Sequence, residues 1–70
     1  AKALRNMKIT FEKSIVSSRP MSKLDILEFK DMTFKKPGDG IPAKDYRMLI
    51  GKKLKQSINK NHKFKWIDFE

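Results

Sequence analysis

Apolar positions along this chain come in short bursts, none long enough to build a large regular element. The first clear burst is "SIVSSR", Ser14 to Arg19, where β-branched Ile15 and Val16 stand together and predict a short buried strand. Pro20 closes it, because a residue without an amide hydrogen belongs at a strand edge or a turn. "SKLDIL" reads as a turn feeding Leu24, Ile26 and Leu27 inward. In "EFKDM" the spacing of Phe29 and Met32 predicts a single helical turn with both on one face. "TFKK" predicts a second short strand, running into a turn at Pro37, Gly38 and Gly40.

"IPAKDYRMLIG" carries the strongest helix signals. Pro42 suits the first helical position, Tyr46, Leu49 and Ile50 fall on one stripe, and Gly51 is placed to stop the helix. "KKLKQSI" alternates Leu54, Gln56 and Ile58 against Lys53, Lys55 and Ser57, the pattern of a half-buried strand. "NKNH" is a turn rich in residues that tolerate left-handed backbone. "KFKWIDFE" alternates again, which places Phe64 and Trp66 on the buried face opposite Lys63 and Lys65. No internal repeat and no low-complexity tract is visible. The sum predicts one small domain, mostly β with short helical turns, around a core of Ile15, Val16, Leu27, Met32, Leu49, Ile50, Leu54 and Ile58. Residues 1–13, "AKALRNMKITFEK", show no clear period and read as a linker from a preceding domain, with the folded unit at residues 14–70.

Composition narrows the functions available. A chain of 70 residues buries only about 60% of the surface its unfolded form exposes, enough for one thin core and no deep cavity. Without cysteine there are no disulfides and no thiolate metal sites, and the single histidine, His62, needs carboxylate partners to hold a metal. No apolar run approaches the roughly 20 residues of a membrane span, so the expectation is a soluble, cytoplasmic protein. The 17 Lys and Arg against 8 Asp and Glu give a net charge of +9, which favours anionic partners without identifying one.

Candidate chemistry is sparse. Nucleophilic catalysis needs an activated group beside a base, and His62 lies in a polar turn with no sequence sign of an orienting acid, so no catalytic residue is assigned. "PGDG" lacks the spacing of a Walker-type phosphate loop. As a fixed turn it is convincing: Pro37 sets its own φ, Gly38 and Gly40 accept positive φ, and the turn holds Lys35 or Lys36 in one place. A small basic nucleic-acid-binding module is the alternative, but stacking platforms need exposed aromatics, and the alternation predicts Phe64 and Trp66 buried.

Taken together, Ser14-Ile15-Val16-Ser17, Asp31-Met32, Lys35-Lys36-Pro37-Gly38-Asp39-Gly40-Ile41 and Leu49-Ile50-Gly51-Lys52 resemble the C-terminal antifreeze-like, or SAF, domain of bacterial sialic acid synthases and their legionaminic acid relatives. The resemblance covers nearly the whole chain from about Glu12. It implies a β-clip, pretzel-like fold following a catalytic barrel that condenses phosphoenolpyruvate with an N-acylated hexosamine, using a divalent metal, Mn or Mg. The barrel carries the chemistry, so no activity is expected of this domain alone. The implied partner is the barrel of the second subunit in a homodimer, whose active site the domain covers. In the family an arginine of the loop reaches the sugar's amide group, and the matching residue here is Lys36, beside Lys35. Phe11 is the nearest match to an aromatic that approaches the partner's site.

The chain departs from the pattern twice. Lysine at position 36 lacks the planar fork of arginine. The turn at "PMSKLDIL" lacks the family's glycine, so Leu24 or Asp25 must take that bend unaided. Ice-binding antifreeze proteins share the domain, but Arg19, Lys23, Asp25 and Glu28 disfavour an ice-matching surface here.

Overall fold

The computed structural model describes residues 13–70. Strand β1 (Ser14–Ser17) pairs antiparallel with β2 (Met32–Lys35), in a register that sets Ser14 opposite Lys35 and Ser17 opposite Met32. Three 3-10 turns, Phe29–Asp31, Ala43–Asp45 and Trp66–Asp68, and one short helix, α1 (Tyr46–Leu49), complete the regular elements. Elsewhere the chain is held by single β-bridges: Ser14 to Pro42, Val16 to Lys63, Met21 to Ile58, Ile26 to Lys53 and Leu54 to Phe69. This is the mostly β architecture with short helical turns that the interrupted apolar pattern predicts.

β1 is buried on both faces, which explains its β-branched pair and its two serines: Ser14, Ile15 and Ser17 are fully buried and Val16 nearly so. The core gathers Ile15, Met21, Leu27, Met32, Ile41, Leu49, Leu54, Ile58, Phe64 and Phe69. Seven of the eight expected core residues are buried, and Ile50 is not, at 44% exposed. A shared stripe requires a continuing helix, but α1 ends at Leu49 and Ile50 is already extended. Gly51 then takes φ 89, the left-handed stop expected of it. Pro42 stands one place outside the helical turn, as an extended cap.

Other inward assignments fail for related reasons. Leu24 and Ile26 are exposed and only Leu27 of that trio is buried. Leu24 itself makes the turn, at φ 76, the bend expected to fall on Leu24 or Asp25. Phe29 and Met32 do not share a face, because a 3-10 turn gives way directly to β2: Phe29 is exposed and Met32 buried. Residues 53–58 form no strand, so Leu54 and Ile58 point inward while Gln56 is exposed.

The backbone carries a repeat that the residue types hide. Shifting the chain by the offset between Met21 and Ile58 maps one half of the fold onto the other. Leu24 N–H to Leu54 O, at 2.9 Å, becomes Asn61 N–H to Ser17 O, at 2.9 Å. Likewise Leu27 to Lys52 becomes Phe64 to Ile15, and Ser18 to Asp31 becomes Lys55 to Asp68. The two bridges Val16 to Lys63 and Ile26 to Lys53 exchange, as do the left-handed residues Leu24 (φ 76) and Asn61 (φ 67). Met21 and Ile58 pair with each other through both amides, so the pseudo-twofold axis passes between them. In both halves a 3-10 turn ends on a buried aspartate whose carboxylate accepts the N–H of the residue before the turn: Asp31 from Glu28 at 2.9 Å and Asp68 from Lys65 at 2.8 Å. Residues 14–33 and 51–70 match in identity only at Lys23 and Lys60 and at Asp31 and Asp68. Each half supplies the hydrogen-bonding edge the other lacks, which satisfies backbone groups that strands this short leave open.

Candidate functional site

The connection between the halves contains the loop from Lys35 to Ile41. Its geometry begins at Ser14, whose fully buried hydroxyl donates to Pro37 O at 2.6 Å and accepts the Gly40 N–H at 2.9 Å. One side chain thereby closes the turn across its base. Ser17, at the other end of β1, does the same for the turn at residues 59–62, donating to Asn59 O at 2.6 Å and accepting from His62 N–H at 2.9 Å. The backbone adds Ile15 N–H to Ile41 O at 2.9 Å and Ala43 N–H to Lys13 O at 3.0 Å.

The second half of the fold holds the loop from its other side. The Lys63 ammonium donates to the Asp39 carboxylate and keeps that carboxyl below its ordinary value. The Lys63 stem lies so close to Gly40 that a Cβ there would meet its Cγ at 2.7 Å and its Cδ at 2.9 Å. A side chain at Gly40 would therefore force the Lys63 stem to shift. The role expected of Gly40, positive φ, belongs among the described glycines to Gly51. Pro37 follows Lys36 through a cis peptide bond.

Of the expected substrate-binding residues, Lys36 is exposed in this braced loop. Lys35, opposite Ser14, donates its ammonium to the Asn61 side chain at 2.8 Å and so ties the loop to the turn at residues 59–62. Phe11 lies outside the described residues, as does all of the expected linker before Lys13. Among the described residues no group of three or more His, Asp or Glu converges to hold a metal, and no helix is long and apolar enough to cross a membrane.

His62 does have an orienting acid. Its Nε2 lies 2.8 Å from Oδ2 of the buried Asp68, and its ring meets Phe64 edge-on at 5.8 Å. The pair ties the turn at residues 59–62 to the last 3-10 turn. Arg19 plays the matching part for Asp31, its Nε at 2.7 Å, and this bond raises the arginine's own pKa. Spacing alone gave no sign of the His62 pair, since the carboxylate arrives through the Trp66–Asp68 turn.

That turn also changes the reading of Trp66. Phe64 is fully buried, but the chain curls at Lys65 instead of continuing as a strand, and Trp66 emerges 47% exposed. Alternating faces therefore do not keep this aromatic off the surface. On the other half the equivalent aromatic, Phe29, is likewise exposed and stands edge-on to Tyr46 at 5.4 Å. Tyr46 also meets Phe34, at 6.2 Å, and carries the Arg47 guanidinium over its ring.

Among known families, the one described as SAF domain matches residues 12–70 of this chain. No curated protein matches it.

Proposed function

The chain belongs to the SAF domain family, and on that premise we propose that it caps a carbohydrate-biosynthesis active site, covering the barrel of a partner subunit in a sialic acid synthase-type homodimer. The observation that supports this reading is the bracing of the loop: Ser14 from the first half and Lys63 from the second hold the turn next to exposed Lys36. A loop fixed in this way delivers one side chain to a set position, and little ordering entropy is left to lose on docking. Lys36 then donates a hydrogen bond to the amide carbonyl of an N-acylated hexosamine, as a point charge in place of a planar fork. Condensation with phosphoenolpyruvate, with its divalent metal, takes place in the barrel. The positive surface favours approach of the anionic co-substrate.

The test is Lys36→Ala in the full-length enzyme. The sugar's KM rises or kcat falls while the KM for phosphoenolpyruvate stays nearly constant. Unchanged sugar kinetics would remove Lys36 from the site.

A further inference from the structure

A hollow of about 240 Å³ lies between the loop and the last 3-10 turn, lined by Asp39, Gly40, Ile41, Phe64, Lys65 and Trp66. We infer that it binds one uncharged, polyhydroxylated ring, a pyranose, laid against the Trp66 indole. This site is argued from its own chemistry and does not depend on the capping role of Lys36.

Size sets the first limit. Pockets for drug-sized ligands span roughly 300 to 1,000 Å³, so this hollow takes a single ring. Two of its lining residues are fixed in the core, Ile41 and Phe64, at 3% and 0% exposure. Its wall is the only tryptophan of the chain, half exposed where burial would be worth most in so small a core. The Trp66 backbone is held by its turn, because Asp68 accepts the Lys65 N–H at 2.8 Å and the Phe69 N–H reaches Trp66 O at 3.4 Å. An apolar face beside a polar rim suits a ligand with one C–H face and a ring of hydroxyls.

The rim selects among ring-bearing ligands. Asp39 offers a carboxylate acceptor that Lys63 holds in place, and Lys65 also lines the hollow. Sugar hydroxyls donate to the first and accept from the second. A nucleobase also stacks on tryptophan, so the titrations below include a single-stranded oligonucleotide. A purely apolar ligand would strip water from both charged groups without replacing its hydrogen bonds.

Trp66 emission reports on the site directly. Titration with methyl pyranosides and N-acetylhexosamines should give a saturable change with a millimolar Kd, the same at low and high salt because the ligand is uncharged, and amide shifts at Gly40, Ile41 and Lys65. Followed by those amides, Trp66→Ala should weaken binding at least about fivefold, within the range for loss of a stacking aromatic. Trp66→Phe, which keeps a ring, should retain most of it, and Asp39→Asn should weaken it without changing the fold. Three results would overturn the inference: no saturable response to any pyranose, unchanged binding in folded Trp66→Ala, or a response only to a single-stranded oligonucleotide that fades with salt. Loss of pyranose binding leaves the Lys36 kinetics untouched, so this site and the capping role fail separately.

Discussion

Ser14→Ala removes a single oxygen from the buried start of β1 and with it both hydrogen bonds that close the loop, to Pro37 O and from Gly40 N–H. The alanine methyl cannot replace them. Each loss costs about 1 to 1.5 kcal/mol, at the lower end for unsatisfied groups because both bonds are only partly buried, so the total is about 2 to 3 kcal/mol. A chain of this length has roughly 4 to 10 kcal/mol of stability, so a large fraction is at stake. The expected fall in Tm is about 10 to 20 °C, measured by circular dichroism. Hydrogen exchange at the Gly40 amide should accelerate beyond what the global loss explains, since the loop opens first. Ser18→Ala is the internal comparison: its hydroxyl bonds Lys30 O at 2.8 Å in an exposed setting, and its loss costs about 0.5 kcal/mol. A Ser14→Ala protein as stable as Ser18→Ala, with the Gly40 amide still protected, would refute the bracing argument.

Gly40→Ala drives a Cβ into the Lys63 stem at 2.7 Å and should cost about 1 to 3 kcal/mol by overpacking. In a Lys63→Ala background the same change should cost measurably less in denaturant melts. Leu24→Asn should raise Tm by a few degrees, because asparagine tolerates the φ 76 that leucine now occupies and the leucine side chain is more than half exposed. Asp39 should titrate by NMR below its ordinary value of 3.8, and Lys63→Met should return the midpoint upward. Because the folded pKa is the lower one, the contribution of this pair to stability is present above the ordinary value and fades as pH falls through the folded one. Both partners face solvent, so added salt should shrink the difference.

Reading the chain in order recovers what depends on local chemistry. The β-branched pair marks β1, the proline and glycines mark the loop, and Gly51 marks the helix stop, each because one residue type suits one backbone geometry. Positions that depend on distant contacts are not recovered. Met21 and Phe69 are buried by single bridges, to Ile58 and Leu54, and an isolated apolar residue among polar neighbours gives no period to detect. Alternation predicts Trp66 inward because it presumes a strand, whereas Asp68 captures the Lys65 amide and turns the chain. The repeat is concealed for a similar reason. Leu27 and Phe64 fill equivalent core positions with different shapes, and the left-handed bend falls on leucine in one half and asparagine in the other. The loop shows its type in the sequence but not its bracing, since Ser14 and Lys63 lie far from it along the chain.

The pseudo-twofold arrangement makes the molecule a covalent dimer of two interlocked pieces, neither of which has a complete set of backbone partners alone. The Lys35–Ile41 loop lies in the tether between them and is fastened to both, to the first piece through Ser14 and to the second through Lys63 and Asn61. The loop is therefore a clasp, rigid only while the two pieces are seated. A slip across the Met21–Ile58 axis would be felt at Lys36.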